Sequence, residues 1–260
     1  MPDVQGSADT RKFAIDKVGV SDIRYPITLR CPDGTDQHTV AQVNMYVSLP
    51  HHQKGTHMSR FLEVLNQHHQ SIRSDDVMAV CRDMKRRLEA EEAHLELHFP
   101  YFIDKKAPVT GMPGKLDIEV SFDCTANSHE DFVMGIKVPA TSLCPCSKEI
   151  SEYGAHNQRC IMEVKVRVSP GHTLWIEELF RIVERCASTQ VFSVLKRPDE
   201  KYVTEAAYDN PKFVEDIVRD LAVALDSQDE IVWFSVASTN QESIHNHNAY
   251  AIIEKDKRDA

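Results

Sequence analysis

Leu116-Asp-Ile-Glu-Val-Ser-Phe-Asp-Cys124 is the stretch on which the fold turns. Every second residue is apolar and the residues between are acidic or hydroxylic, the period-2 pattern of a strand with one buried face. The pattern recurs on both sides. Downstream, Phe132, Met134, Ile136 and Val138 alternate. Upstream, Ala93, Leu95, Leu97 and Phe99 do the same, across a loop marked by Pro100, Pro108, Gly111, Pro113 and Gly114. Further back, His38 to Leu49 carries Val43, Met45, Val47 and Leu49 on one side, and a shorter strand is expected before it around Ile27 to Arg30. Two helices are predicted in between. Met58, Phe61, Leu62 and Leu65 form one apolar stripe; Val77, Cys81, Met84 and Leu88 form the other, after Ser74 as N-cap.

The second half repeats the order. Cys160, Met162, Val164, Val166 and Val168 alternate, and Ile176, Leu179, Val183 and Cys186 recur at helical spacing. After a charge-rich loop, Asn210-Pro211 reads as a helix start, followed by Val214, Ile217, Val218, Leu221 and Leu225. Ile231 to Ser238 and Asn248 to Glu254 complete the set as strands. Each half thus reads strand, strand, helix, helix, strand, strand. Short links favour antiparallel pairing with helices on one face, an α+β class. Sheets this small leave open edges, which invites pairing between halves and between subunits. The expected division is a flexible N-terminal segment at 1–20, a first unit at 21–128 and a second at 129–260.

Composition excludes several functions. The chain has 260 residues, 42% of them hydrophobic and 27% charged, ordinary for a globular protein with a sizeable core. Its formal charge of −10 disfavours bulk binding to nucleic acid or anionic membranes, though not a small polyanion in a local basic pocket. No apolar run approaches the roughly 20 residues of a membrane span. Seven irregularly spaced cysteines behind a polar N-terminus without a secretory pattern suggest reduced thiols and a cytoplasmic protein.

Chemistry concentrates in Ser142-Leu-Cys-Pro-Cys-Ser-Lys-Glu149, Tyr153-Gly-Ala-His156-Asn-Gln-Arg-Cys160 and Glu242-Ser-Ile-His245-Asn-His247. Cys81, Cys124, Cys160 and Cys186 fall on apolar faces and read as core. Cys144 and Cys146 do not, because their surroundings are polar. His245 and His247, two apart, project to one side of an extended segment, with Glu242 beside them. Thiol, imidazole and carboxylate together suit a divalent transition metal, with zinc, manganese and iron all admissible. Lys54, Thr56, His57, Ser59 and Arg60 open a helix and are phosphate-compatible, aided by helix N-terminal amides; an ordinary capped helix is the alternative. Glu200 reads as a solvated charge in a loop, and Glu215 as an acid favoured by the helix dipole. His52, His68 and His69 read as surface residues.

Four segments in order, Pro50 to Phe61, Ser142 to Ser147, Gly154 to Arg159 and Glu242 to Ala249, make the chain resemble GTP cyclohydrolase type IB, a prokaryotic folate-pathway enzyme. The resemblance covers nearly everything beyond the first twenty or so residues. It implies the tunnelling fold (T-fold): two tandem ββααββ units per chain whose antiparallel sheets join into a β-barrel on oligomerisation. It implies a metal held by Cys144, His156 and Glu200, with Glu205 the nearby competitor. Glu242, His245, His247 and Cys146 are then catalytic, Glu242 as main general acid/base, and His245 stands inside or just outside the coordination sphere. Glu215 grips the purine edge, while Lys54, His57, Ser59 and Arg60 take the triphosphate. The implied reaction is metal-dependent hydrolysis of GTP to 7,8-dihydroneopterin triphosphate and formate, first step of tetrahydrofolate biosynthesis. The implied assembly is a homotetramer; because the first half lacks its own Cys-Pro-Cys segment, one site per chain is expected, either self-contained or completed by a neighbour. Other expectations are a cyclic-phosphate-forming GTP cyclohydrolase, a nitrile reductase of the same fold, or a thiol or metal sensor using Cys144 and Cys146.

Overall fold

Strands take up the alternating runs, and helices the runs spaced by three and four. The structure, a computed structural model, describes residues 5–68 and 74–258. In chain order the elements are β1 (Ile15–Arg30), β2 (Asp36–Leu49), α1 (Met58–Gln67), α2 (Ser74–Arg87), β3 (Ala93–Lys106), β4 (Pro113–Ala126) and β5 (Glu130–Leu143). Then come α3 (Pro145–Ile150), β6 (Asn157–Val168), α4 (Ile176–Val183), β7 (Thr189–Gln190), α5 (Arg197–Asp209), α6 (Val214–Asp226), β8 (Ile231–Asn240) and β9 (Ala249–Asp256). Hydrogen-bonded neighbours run β1-β2-β3-β4-β5-β6-β8-β9, with β7 beside β5. The pairings of β1 with β2, β2 with β3, β6 with β8 and β8 with β9 are antiparallel. This is an α+β chain built on an antiparallel sheet.

Two compact units divide it: Met1–Pro100 with Val120–Met134, and Tyr101–Glu119 with Gly135–Ala260. In the first, Val43, Met45 and Val47 of β2 face inward with Leu95 and Leu97 of β3. Phe61, Val64 and Leu65 of α1 and Val77, Cys81 and Met84 of α2 are buried as well. Gly19 in β1 is obligatory, since a Cβ there would sit 1.9 Å from the Met45 carbonyl oxygen. In the second unit α6 packs on β8 and β9 through Val214, Ile217, Val218, Leu221 and Leu225. Each such side chain contributes about 1.5–3 kcal/mol by leaving water.

Several elements differ from the sequence expectations. The first strand is not short: β1 spans 16 residues, and its outer part is exposed, so no apolar alternation betrays it. It begins at Ile15, inside the segment expected to be flexible. Gln5 and Ser7 also bind the chain, accepting hydrogen bonds from Gly55 N–H and Lys54 N–H. Residues 1–4 of that segment, His69 and the capping side chain of Ser74 lie outside the described residues. The charge-rich loop before Pro211 is largely helix α5, which buries only Asp199 and Ala207 and so lacks an apolar stripe. Glu200 therefore sits on a helix, not in a loop. Asn210 closes α5, and α6 starts at Val214, where the Phe213 N–H donates to the Asp216 carboxylate at 2.9 Å. Glu215 thus lies at the very start of α6.

Candidate active site

β5 ends at Leu143, and Pro145, whose ring presets a helical φ, opens α3. Cys144 is consequently the N-cap, and its Sγ accepts the Ser147 N–H at 3.4 Å. The Ser147 hydroxyl donates to the Cys144 carbonyl at 3.1 Å. The chain then returns through Gly154, whose φ of 129° lies in the region glycine alone adopts freely. Two hydrogen bonds fasten this return. Cys144 N–H donates to the His156 carbonyl at 3.1 Å, and His156 N–H donates to the Ser147 hydroxyl at 3.2 Å. Thiol and imidazole, twelve positions apart in sequence, are thus held on adjoining backbone.

The C-terminal segment reaches the same place through the sheet. Cys160 pairs with Asn240 across β6 and β8, and the Gln241 N–H donates to the Arg159 carbonyl at 2.8 Å. That pairing sets Glu242 and Ser243 beside the start of β6. His156 Nδ1 lies 3.0 Å from Gln158 Oε1 and 3.2 Å from Ser243 Oγ. Gln158 Nε2 donates to Glu242 Oε1 at 3.4 Å. A buried polar network supports the strand ends: Asn240 Nδ2 donates to Ser142 Oγ (3.1 Å), which donates to the Lys212 carbonyl (2.9 Å). Ser142, Asn240 and Ser238 are all buried, and no buried side-chain N or O atom among the described residues lacks a hydrogen-bond partner.

The structure thus brings Cys144, His156 and Glu242 into one neighbourhood. His245 and His247 follow in a bent, not extended, segment; their rings nevertheless stack, centroids 5.0 Å apart and planes 16° from parallel. Both are exposed, as is Cys146. Glu200 is exposed on the first turn of α5. Its neighbour Asp199 is fully buried and anchors that turn, accepting from Val109 N–H and Thr110 N–H (both 2.9 Å), Thr110 Oγ (2.7 Å) and Lys196 N–H (2.9 Å). Burial alone would raise the Asp199 pKa, but the hydrogen bonds from Thr110, Lys196 and Val109 prevail and hold it far below the usual carboxylate range. Glu215 is exposed. In the other compact unit Lys54, Ser59 and Arg60 are exposed and His57 is the N-cap of α1, whose first turn has no side-chain cap. The Arg60 guanidinium donates to the Arg87 carbonyl at 3.3 Å.

Other expectations meet mixed outcomes. Cys81, Cys124, Cys160 and Cys186 are buried, and burial pushes the thiols of Cys81 and Cys160 up to about 12 and that of Cys186 to about 11, which suits inert core residues. His68 has a partner that the sequence did not reveal: its Nε2 lies 3.2 Å from the buried Asp83 carboxylate. Three polar residues at the site were missed, Ser147, Gln158 and Ser243. Gln158 carried a signal, since it is a polar residue on the same side of β6 as Cys160, Met162 and Val164, and it is 7% exposed. Ser147 and Ser243 stand in polar sequence and carried none.

Among the described residues no three His, Cys, Asp or Glu side chains are grouped to hold a metal. Cys144 and His156 still suit a transition ion: a thiol on a polar turn, and an imidazole whose Nδ1 is occupied by neighbours, as is usual for histidines that ligate through the other nitrogen. Glu200 is not gathered with them.

Solved urate oxidases share the architecture. A uricase from Bacillus fastidious superposes with a TM-score of 0.55 at 10% identity, covering 96% of this chain and 95% of that one. Urate oxidase from Bacillus subtilis 168 gives 0.53 at 9% identity, covering 94% of this chain and all of that one. Such likeness is of fold alone, and it places this α+β chain among proteins of the tunnelling-fold kind. Sequence is more specific. The profile of the family Type I GTP cyclohydrolase folE2 matches residues 1–251. GTP cyclohydrolase FolE2 of Geotalea uraniireducens is 56% identical over 259 residues, covering 100% of this chain and 95% of the relative. That of Geobacter sulfurreducens is 55% identical over 260 residues, covering both chains completely. The chain belongs to the Type I GTP cyclohydrolase folE2 family. None of its helices among the described residues is long and apolar enough to cross a membrane.

Proposed function

We propose that this chain is a GTP cyclohydrolase, converting GTP and water to 7,8-dihydroneopterin triphosphate and formate in folate biosynthesis. The observation that carries the reading is the convergence of Cys144, His156 and Glu242 on one hydrogen-bonded group. Cys144 and His156 would hold a divalent metal, with zinc, manganese and iron the candidates; Glu200, exposed on the first turn of α5 and apart from them in this structure, is the carboxylate that the family resemblance offers as third donor. When bound, the ion supplies Lewis acidity that activates water at neutral pH.

The remaining work belongs to side chains. Glu242, half-buried and tethered by Gln158, moves protons as the C8–N bonds of the purine break and C8 leaves as formate. The same reading gives His245, His247 and Cys146 catalytic roles beside Glu242, with the histidines relaying protons during ribose rearrangement and ring closure. Glu215 accepts two parallel hydrogen bonds from the N–H edge of guanine, a match that a carboxylate makes well. Lys54, His57, Ser59 and Arg60 neutralise the triphosphate. Two tandem ββααββ units, with boundaries at 21–128 and 129–260, join through their sheet edges into a barrel in a cytoplasmic homotetramer. Exposed Ile150, Tyr153, Tyr250 and Ile252 supply apolar surface for that assembly.

The test is product analysis with GTP on metal-stripped protein, with zinc, manganese and iron restored one at a time. A dihydropterin triphosphate is the expected product with at least one metal. A cyclic phosphate product, or no turnover with any of the three, would contradict the reading.

A further inference from the structure

Gln158 touches both His156 and Glu242, and its amide cannot be turned around without conflict. A carboxylate only accepts hydrogen bonds, so the amide NH2 must face Glu242, as it does at 3.4 Å. Its carbonyl oxygen then faces His156 Nδ1 at 3.0 Å and only accepts. Nδ1 must therefore carry the hydrogen in neutral His156, and Nε2 carries the lone pair. Ser243 Oγ, 3.2 Å from the same Nδ1, does not fix this by itself, because a hydroxyl rotates to donate or to accept. Gln158 is 7% exposed on the inward side of β6, so packing holds the amide in place.

We propose that Gln158 is the positioning residue of this site: its amide fixes His156 in the Nδ1–H tautomer, with Nε2 free to ligate, and couples that choice to Glu242. The tautomer follows from the hydrogen bonds alone; its use rests on the metal reading above. The side chain acts as a one-way connector, accepting from the imidazole and donating to the carboxylate. Glutamate at this position keeps the first contact and loses the second, whereas leucine loses both.

Nitrogen NMR of histidine-labelled, metal-free protein at slightly alkaline pH reads the tautomer directly, with neither GTP nor metal present. His156, assigned by comparison with His156→Ala, is expected to show protonated Nδ1 and a bare Nε2. A bare Nδ1 in the wild-type protein would overturn the proposal even if GTP turnover is confirmed. Failure of GTP turnover would leave the tautomer result standing, so the two readings fail separately. Variants add a second readout. Gln158→Leu is expected to mix the tautomers and to weaken zinc binding, measured against a chromophoric chelator, by about 10–100-fold. Gln158→Glu is expected to restore both. An unchanged tautomer in Gln158→Leu, or equal loss in both variants, would contradict the assignment.

Discussion

Cys144 owes its position to three local features: the end of β5 at Leu143, Pro145 at the first turn of α3, and the Gly154 return that brings His156 back to the same backbone. The Cys-Pro-Cys and Gly-Ala-His segments announce this pair, because soft donors in polar stretches stand out from thiols on apolar stripes. Gln158 was harder to see, since its meaning depends on which residues lie across the strand from it. Two outcomes belong at this scale. Cys144→Ala is expected to abolish stoichiometric metal binding in equilibrium dialysis while leaving the circular dichroism spectrum unchanged. Glu242→Gln keeps a side chain of nearly the same shape but cannot take up a proton. It is expected to lower kcat by about 10²–10⁴-fold with little change in KM, as measured by steady-state pterin formation.

Elements with a strong period were legible, and those without one were not. β2, β3 and β4 alternate cleanly because one face is buried along most of their length. Among the described strands β1 pairs only with β2, and it shows mixed exposure, so its outer half left no alternation to read. α5 buries too little to mark itself, and is fixed instead by the Asp199 carboxylate binding Val109, Thr110 and Lys196. Because the folded Asp199 pKa is depressed, its contribution to stability is complete above the ordinary carboxylate value of about 4 and fades as pH falls through the lower folded value. Asp199→Asn, which leaves donors facing an amide NH2, is expected to lower Tm by several degrees at pH 7. The gap from the wild-type protein should close as pH drops below about 4, as followed by thermal melts across pH. In α6, Leu221 is fully buried, and Leu221→Ala is expected to cost about 2–5 kcal/mol in urea unfolding.

At the scale of the molecule, β1 and β9 each pair with one strand among the described ones, and β9 turns Tyr250 and Ile252 outward at 60% and 54% exposure. Apolar side chains on an open edge favour association over solvation. Ile252→Glu is therefore expected to reduce the mass found by light scattering and to slow turnover together; a smaller particle at full rate would separate the site from the assembly. The sequence could suggest such edges from element order, but their partners are set by surfaces that a single chain does not contain. The most direct measurement for the central claim is formate release from GTP labelled with carbon-13 at C8, followed by NMR in the metal-loaded protein and in Cys144→Ala. The wild-type chain is expected to convert the label to formate in step with pterin formation, and the variant to release none. Label remaining in the purine with the wild-type chain, or equal release by both proteins, would contradict the account.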